Sequence, residues 1–562
     1  MQKKSLFILP VAAALLASCS GKLGALSADN FNVTPSPLET QGGQVSATVN
    51  GLFPEKYMKK KAVVTVTPEL RYQTLNGQKA ARGTSATFQG EKVLGNDQTV
   101  SYLLGGRYTM KSTFDYVPDM QQSDLYLTFD ARVGNKTVKV PDVKVAQGVI
   151  ATSELYRRTL ATAQAATAQD AFQRVSQQRQ EANVKFLIGQ AQLRKSELQN
   201  NSVKEFVRLL SEIAKDQEGK VLDGVEVSAY ASPDGGYAFN EKLAGKRQDV
   251  TADYVKQQMK QTRVEGNIDT KYTAEDWEGF QELVAASNIQ DKDVILRVLS
   301  MYKDPEEREQ QIKNISAAFS ELTDGILPQL RRARMTINYQ LVGRSDDQIK
   351  QQLATDASKL SVEELLYAAT LFDEQPAQAE TAYAKAAQLY PQDARTLNNM
   401  AMVEWAKGNY DQARNWLEKA QKQNPNLPEL NANLGLLALK QGDMLAAENY
   451  MTKAAEAHGL NEVLGNLHLA QGKYAQAEAD FEEIFTNSAA LAQIINQNYA
   501  QAAVTLKYVD RPDATTDYLK AVLAARTGKN AEAAEALRAA IAKDPTLAAY
   551  AAKDLELVKV QK

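Results

Sequence analysis

Residues 394–425 read ARTLNNMAMVEWAKGNYDQARNWLEKAQKQNP. Two runs of helical composition meet at Gly408, and Pro425 closes the second. A glycine at such a junction supplies the left-handed residue that ends one helix and turns the chain into the next. Around it stand Ala401, Tyr410, Ala413 and Ala420. Small residues at those positions let two antiparallel helices approach closely. The spacing then returns: Gly442 follows Gly408 by 34 residues, with Gly435, Ala447 and Ala454 in the corresponding places. The preceding frame supplies Ala379, Ala386 and Pro391. A later one supplies Gly465, Gly472, Tyr474, Ala477 and Phe481. The last supplies Ala521, Gly528, Ala533, Leu537, Ala540 and Pro545, and a degenerate copy lies near Tyr499 and Ala502.

A period of 34 residues with this pattern of small, glycine and proline positions resembles the tetratricopeptide repeat, in five or six copies over residues 360–562. The resemblance implies an all-α superhelix with a concave surface that binds a peptide or helix of a protein partner. His458 and His468 fall at repeat helix ends or surfaces and carry no chemistry of their own.

Upstream, residues 184–345 alternate strands and helices. Val184–Ile188 reads as a short strand. Val203, Phe206, Val207, Leu210 and Ile213 follow at helical spacing with one apolar face. The strand VEVSAY (225–230) leads into the loop ASPDGG (231–236), and Asn240, Leu243, Arg247, Val250 and Tyr254 lie on the next helix. Leu330–Ile337 reads as a closing strand entered through Arg331 and Arg332. This order resembles the OmpA-like peptidoglycan-binding domain. The resemblance covers the N-x-x-L-x-x-x-R helix, with Asn240 and Arg247 in place, and the Arg-Arg strand. It implies that Arg247 grips a carboxylate of the diaminopimelate in the wall peptide, while an Asp eight residues before Asn240 grips its amine. A guanidinium suits the first task because it donates two parallel hydrogen bonds. Here that earlier position is Ser232, a departure from the family, and Asp234 is the substitute. Residues 263–328 form an insertion, with Trp277 and Phe280 read as core and Pro305 after Asp304 as a helix start.

Residues 151–183 contain neither Gly nor Pro and are rich in Ala, Gln and Arg, so a helical connector is expected. Residues 25–150 alternate in the strand manner, as in LYLTFDARV (125–133), and predict an all-β sandwich of about seven strands. The fold class is therefore multidomain: a sandwich, a central α+β domain and helical repeats.

The amino terminus, MQKKSLFILPVAAALLASC, places a basic start and a short apolar run ahead of Cys19, the only cysteine in the chain. It resembles a bacterial lipoprotein signal. That implies cleavage after residue 18, acylation of the Cys19 thiol, a tether over residues 19–24 and a membrane anchor of stable affinity. No acidic run follows Cys19, which favours an outer-membrane protein facing the periplasm.

Composition narrows the function. The 562 residues carry a net charge of -3, which gives no reason to expect nucleic-acid binding. One Cys and two His exclude a disulfide and a His- or Cys-rich metal site. No glycine-rich phosphate loop is present, and no cofactor is implied. The expected function is non-enzymatic: an envelope scaffold that holds peptidoglycan through residues 184–345 and recruits a protein through its repeats. The alternative is an OmpA-like fold without wall binding that docks proteins in a larger complex.

Overall fold

Alternating apolar and polar side chains draw the first part of the chain into sheets, because a strand turns successive residues to opposite faces. In the computed structural model, which describes residues 23–289, 291–314, 320–372 and 375–560, twelve strands lie before residue 151 among the described residues. They are β1 (Phe31–Thr34), β2 (Leu38–Gln41), β3 (Gln44–Phe53), β4 (Ala62–Thr74), β5 (Gly77–Arg82), β6 (Ala86–Gly90), β7 (Gln98–Val100), β8 (Gly106–Asp115), β9 (Ser123–Val133), β10 (Lys136–Lys139), β11 (Val143–Gln147) and β12 (Val149–Ile150). One sheet has the order β1-β3-β2-β12 with β8 on β3. The other has the order β10-β9-β4-β6-β7 with β5 on β4 and β11 on β9. Val45, Val49 and Phe53 from the first sheet share a core with Val64, Val66 and Leu125 from the second. The expected seven strands become twelve because short polar edges such as GQKAAR and KTVK pair with long neighbours without showing an apolar face of their own.

The chain divides into two units. One takes residues up to 169 together with those from 372 on; the other is residues 170–371.

In the second unit, β13 (Val175–Lys185), β14 (Lys220–Tyr230), β15 (Ile268–Thr273) and β16 (Arg332–Val342) form a sheet of order β13-β16-β14-β15. β16 is antiparallel to both neighbours, and β14 runs parallel to β15. Helices Asn201–Lys215 and Tyr237–Thr262 cover it, burying Phe206, Leu210 and Val255 against Val227, Met335 and Ile337. Three readings are corrected here. The first strand begins at Val175, not Val184, and ends at Lys185, leaving Leu187 and Ile188 in an exposed turn. Residues 268–273, assigned above to the insertion, are a sheet strand; their mostly exposed, polar residues gave no apolar signal. Helices Asp346–Asp356 and Val362–Thr370 belong to this unit, so the boundary falls at 371 and not near 345–360. The inserted helices Trp277–Ala286, Lys292–Met301 and Pro305–Lys313 gather a small core of Phe280, Val284, Ile295, Leu299 and Ile312.

From residue 376 the chain is helical. After Pro376–Leu389 come five pairs: Ala394–Ala406 with Tyr410–Gln423, Pro428–Gln441 with Met444–Met451, Leu460–Ala470 with Tyr474–Asp480, Asn487–Ile495 with Tyr499–Lys507, and Ala514–Arg526 with Asn530–Lys543. Gly408, Gly442, Gly472 and Gly528 sit at the turns with φ of 78°, 79°, 74° and 77°. That left-handed backbone is why glycine recurs there.

The expected helical connector is corrected most. Only Tyr156–Thr159 is α-helical, after a 3-10 turn at Thr152–Leu155. Residues 164–174 have no helical turn, and residues 175–183 already belong to strand β13.

Candidate functional site

The four sequence candidates of the central unit do come together, around the loop that follows β14. Asn240 is buried and donates to the carbonyls of Ser232 (3.1 Å) and Gly235 (2.8 Å), so it shapes the loop from inside. The Ser232 hydroxyl donates to Asp234. Asp234 is in turn held by Arg331, with 2.9 Å between guanidinium and carboxylate, and Arg331 also reaches the Ser232 hydroxyl at 3.3 Å. Asp234 is thus already paired with a cation that immediately precedes the closing strand.

Arg247 is 1% exposed. Its guanidinium donates to three backbone carbonyls: Gln190 (3.0 Å), Tyr230 (2.8 Å) and Leu187 (3.2 Å). It also lies over the Phe186 ring, 5.0 Å from the centroid. Burial, and then the nearby charge of Arg331, lowers its pKa to about 10, so it stays charged. A cation in this state ties the 187–190 turn to the end of β14. It does not present a free fork to a ligand carboxylate, which is the role the family pattern assigns to it. The turn it holds and the start of its helix expose apolar side chains. Leu187 and Ile188 are 46% and 67% exposed, and Tyr237 and Phe239 on the first turn of the Arg247 helix are 50% and 59% exposed. Cys19 lies outside the described residues.

A second site, unmarked in the sequence reading, lies in the other unit. Residues 160–169 run as an open strap along the first helices of the repeat pairs, and those helices read its backbone. The Gln164 N–H donates to Glu462 (2.8 Å). The Ala166 N–H donates to Asn433 Oδ1 (2.6 Å), and the same amide returns a bond to the Ala166 carbonyl (2.8 Å), which Asn398 joins at 3.1 Å. Asn399 does likewise for Ala168, at 2.9 Å in both directions. Trp405 donates its indole N–H to the Ala163 carbonyl (2.9 Å), and Arg511 donates to the carbonyl of Thr162 (3.0 Å). Below these, Ser488 reaches the Thr159 hydroxyl and Asn487 the Thr162 hydroxyl. Ala163, Ala166 and Ala168 are buried, so the groove takes only small side chains there.

This explains why an alanine-rich segment is not a helix. Helix propensity differs by less than about 1 kcal/mol per residue among non-Gly, non-Pro types. Each side-chain bond to a buried backbone group is worth a comparable amount, and leaving that group unpaired costs more. A full set of such bonds outweighs propensity. The groups at alternate residues 164, 166 and 168 are reached because the strap has the two-residue period of a strand. One sequence signal existed: Asn399 and Asn433 occupy the same place in successive frames, nine residues before Gly408 and Gly442. Glu462 is set apart by burial, which raises its pKa to about 7 against the opposing pull of the Gln164 N–H and Arg511.

Two family models for the tetratricopeptide repeat match, over residues 373–437 and 432–491. The C-terminal region is built of tetratricopeptide repeats. No curated protein matches the chain. Among solved structures, a tetratricopeptide repeat protein from Parabacteroides merdae is similar at 17% identity and a TM-score of 0.26, over 35% of this chain and 85% of that one. PilF of Pseudomonas aeruginosa is similar at 18% identity and 0.25, over 36% and 95%. PilW, described as a widely conserved type IV pilus biogenesis factor, is similar at 19% identity and 0.26, over 36% and 98%. The tetratricopeptide repeats of this chain imply a protein partner and a part in protein–protein interaction.

Proposed function

We propose that this chain is a non-enzymatic lipoprotein scaffold of the bacterial outer membrane, anchored through acylated Cys19, facing the periplasm and recruiting a protein through its tetratricopeptide repeats. In this reading residues 184–345 are an OmpA-like domain that docks protein and does not hold the wall. The observation that carries it is the state of Arg247: it is buried, three of its five N–H donors are on backbone carbonyls, and Leu187 and Ile188 of the turn it holds and Tyr237 and Phe239 of the first turn of its helix are exposed. Wall tethering is the second reading, favoured by the spacing of Asn240 and Arg247 and by Asp234 beside them.

Co-sedimentation of residues 20–562 with purified peptidoglycan separates the two. The docking reading expects the chain to stay in the supernatant. Sedimentation with the wall that is lost in Asp234→Asn would restore the tether. Arg247→Ala is the poorer probe, because it removes a buried side chain that ties three carbonyls together and acts on stability first. The anchor has its own test: palmitate label should enter the chain in cells and vanish in Cys19→Ala.

A further inference from the structure

The repeat helices already hold the chain's own residues 160–169. We propose that this strap is an exchangeable stand-in for a partner peptide, and that the groove takes an extended partner segment with alanine or another small residue at the three positions held by Ala163, Ala166 and Ala168. This deepens the reading of the repeats as a recruiting surface and rests on it.

Three observations define the ligand. First, the groove recognises main chain. Asn399 and Asn433 each bond both the N–H and the C=O of one residue, a geometry that any extended peptide satisfies regardless of side chain. Second, the side-chain demand falls on the three buried alanines and on Leu160, which is also buried, while Gln169 is exposed and Gln164 is exposed with its side-chain amide donating to Asp510 (3.0 Å). Third, the bonds that tie residues 162–168 to the repeats come from side chains, not from a sheet neighbour. A strap held in this way leaves without dismantling any sheet, and an incoming segment recovers the same bonds in the same places. The asparagines that would be left bare are buried and joined to one another, Asn433 to Asn398 (2.9 Å) and Asn398 to Asn399 (3.1 Å). An empty groove is therefore costly, since buried amides need partners. Exchange, strap for partner, is the favoured event, and the strap sets a threshold that a weakly matching peptide does not pass.

The test uses the full chain and a fluorescent peptide of the strap sequence, TLATAQAATAQD (159–170), read by anisotropy. A carboxylate in place of Ala166 should evict the strap, so Ala166→Asp is expected to bind the peptide at least tenfold more tightly than the parent chain. Adding Asn399→Ala and Asn433→Ala should abolish that gain, and a peptide carrying the same Ala-to-Asp change should not bind. Failure of the folded Ala166→Asp chain to bind would make the strap permanent structure and overturn the proposal. Should that variant fail to fold, hydrogen exchange on the parent chain decides. Ala166 and Ala168 amides exchanging at least tenfold faster than those of helix Pro428–Gln441 support local release; equal protection overturns it. A dimer of the parent chain whose straps cross-link between copies would assign the groove to a second copy and also overturn it. Capture of a partner by another face of the repeats would leave the scaffold reading intact while the peptide assay failed.

Discussion

Glu462 is the side chain where burial has the plainest consequence. Its carboxyl ordinarily titrates at 4.5 and here at about 7. The unfolded chain therefore sheds this proton first, and the folded chain holds more protons between those values. Its contribution to stability is complete below pH 4.5, falls as pH rises towards 7, and is lost above it. Arg511 and Asp510 are the charged groups that act on it, with opposite signs. Urea unfolding should show a loss of order 1–3 kcal/mol across that window, and Glu462→Gln should flatten the difference while keeping an acceptor for the Gln164 N–H. A profile for the variant that matches the parent would refute the assignment. The sequence pointed to the Arg247, Asp234, Asn240 and Ser232 cluster through its spacing. It could not reveal that Arg331 neutralises Asp234 or that three carbonyls hold Arg247, because those partners lie 97 and up to 60 residues away.

Pairs of helices show how position, and not residue type alone, sets a requirement. Gly435 and Gly465 occupy related places on first helices, yet a methyl group would meet different neighbours. At Gly465 it would lie 2.6 Å from the ring of Phe481, a buried aromatic with nowhere to go. At Gly435 it would meet the terminal methyl of Met451, the end of a flexible chain. Gly465→Ala should cost about 1–3 kcal/mol by overpacking. Gly435→Ala should stay within about 1 kcal/mol of the parent, since Met451 can rotate aside and helix propensity improves. Denaturation midpoints of the two variants check this, and equal losses would contradict it. Elements with a strong period were legible: the repeat helices and the long strands of the sandwich. β15 was not, because its exposed residues lack alternation, and the 160–169 strap was not, because its conformation is imposed by asparagines more than 230 residues downstream.

At the scale of the whole molecule, the strap and the repeats form one unit although the whole of residues 170–371 is inserted between them in sequence. A chain ending at residue 371 would keep the sandwich core and lose every partner of the strap. Trypsin should then cut after Arg157 or Arg158 at least tenfold faster than in the full chain, leaving a fragment that begins at Arg158 or Thr159. Equal cleavage rates would show that the strap holds its form without the repeats. The same connectivity sets a timetable. Ala166 must wait for Asn433, 267 residues later. At about 5–20 residues per second of synthesis, that wait is on the order of tens of seconds. Throughout it, an alanine-rich stretch is free to coil into the helix its composition favours. The strap therefore takes its final form only after most of the chain that follows it has been made, when Asn399, Asn433 and Glu462 have emerged to bond its backbone.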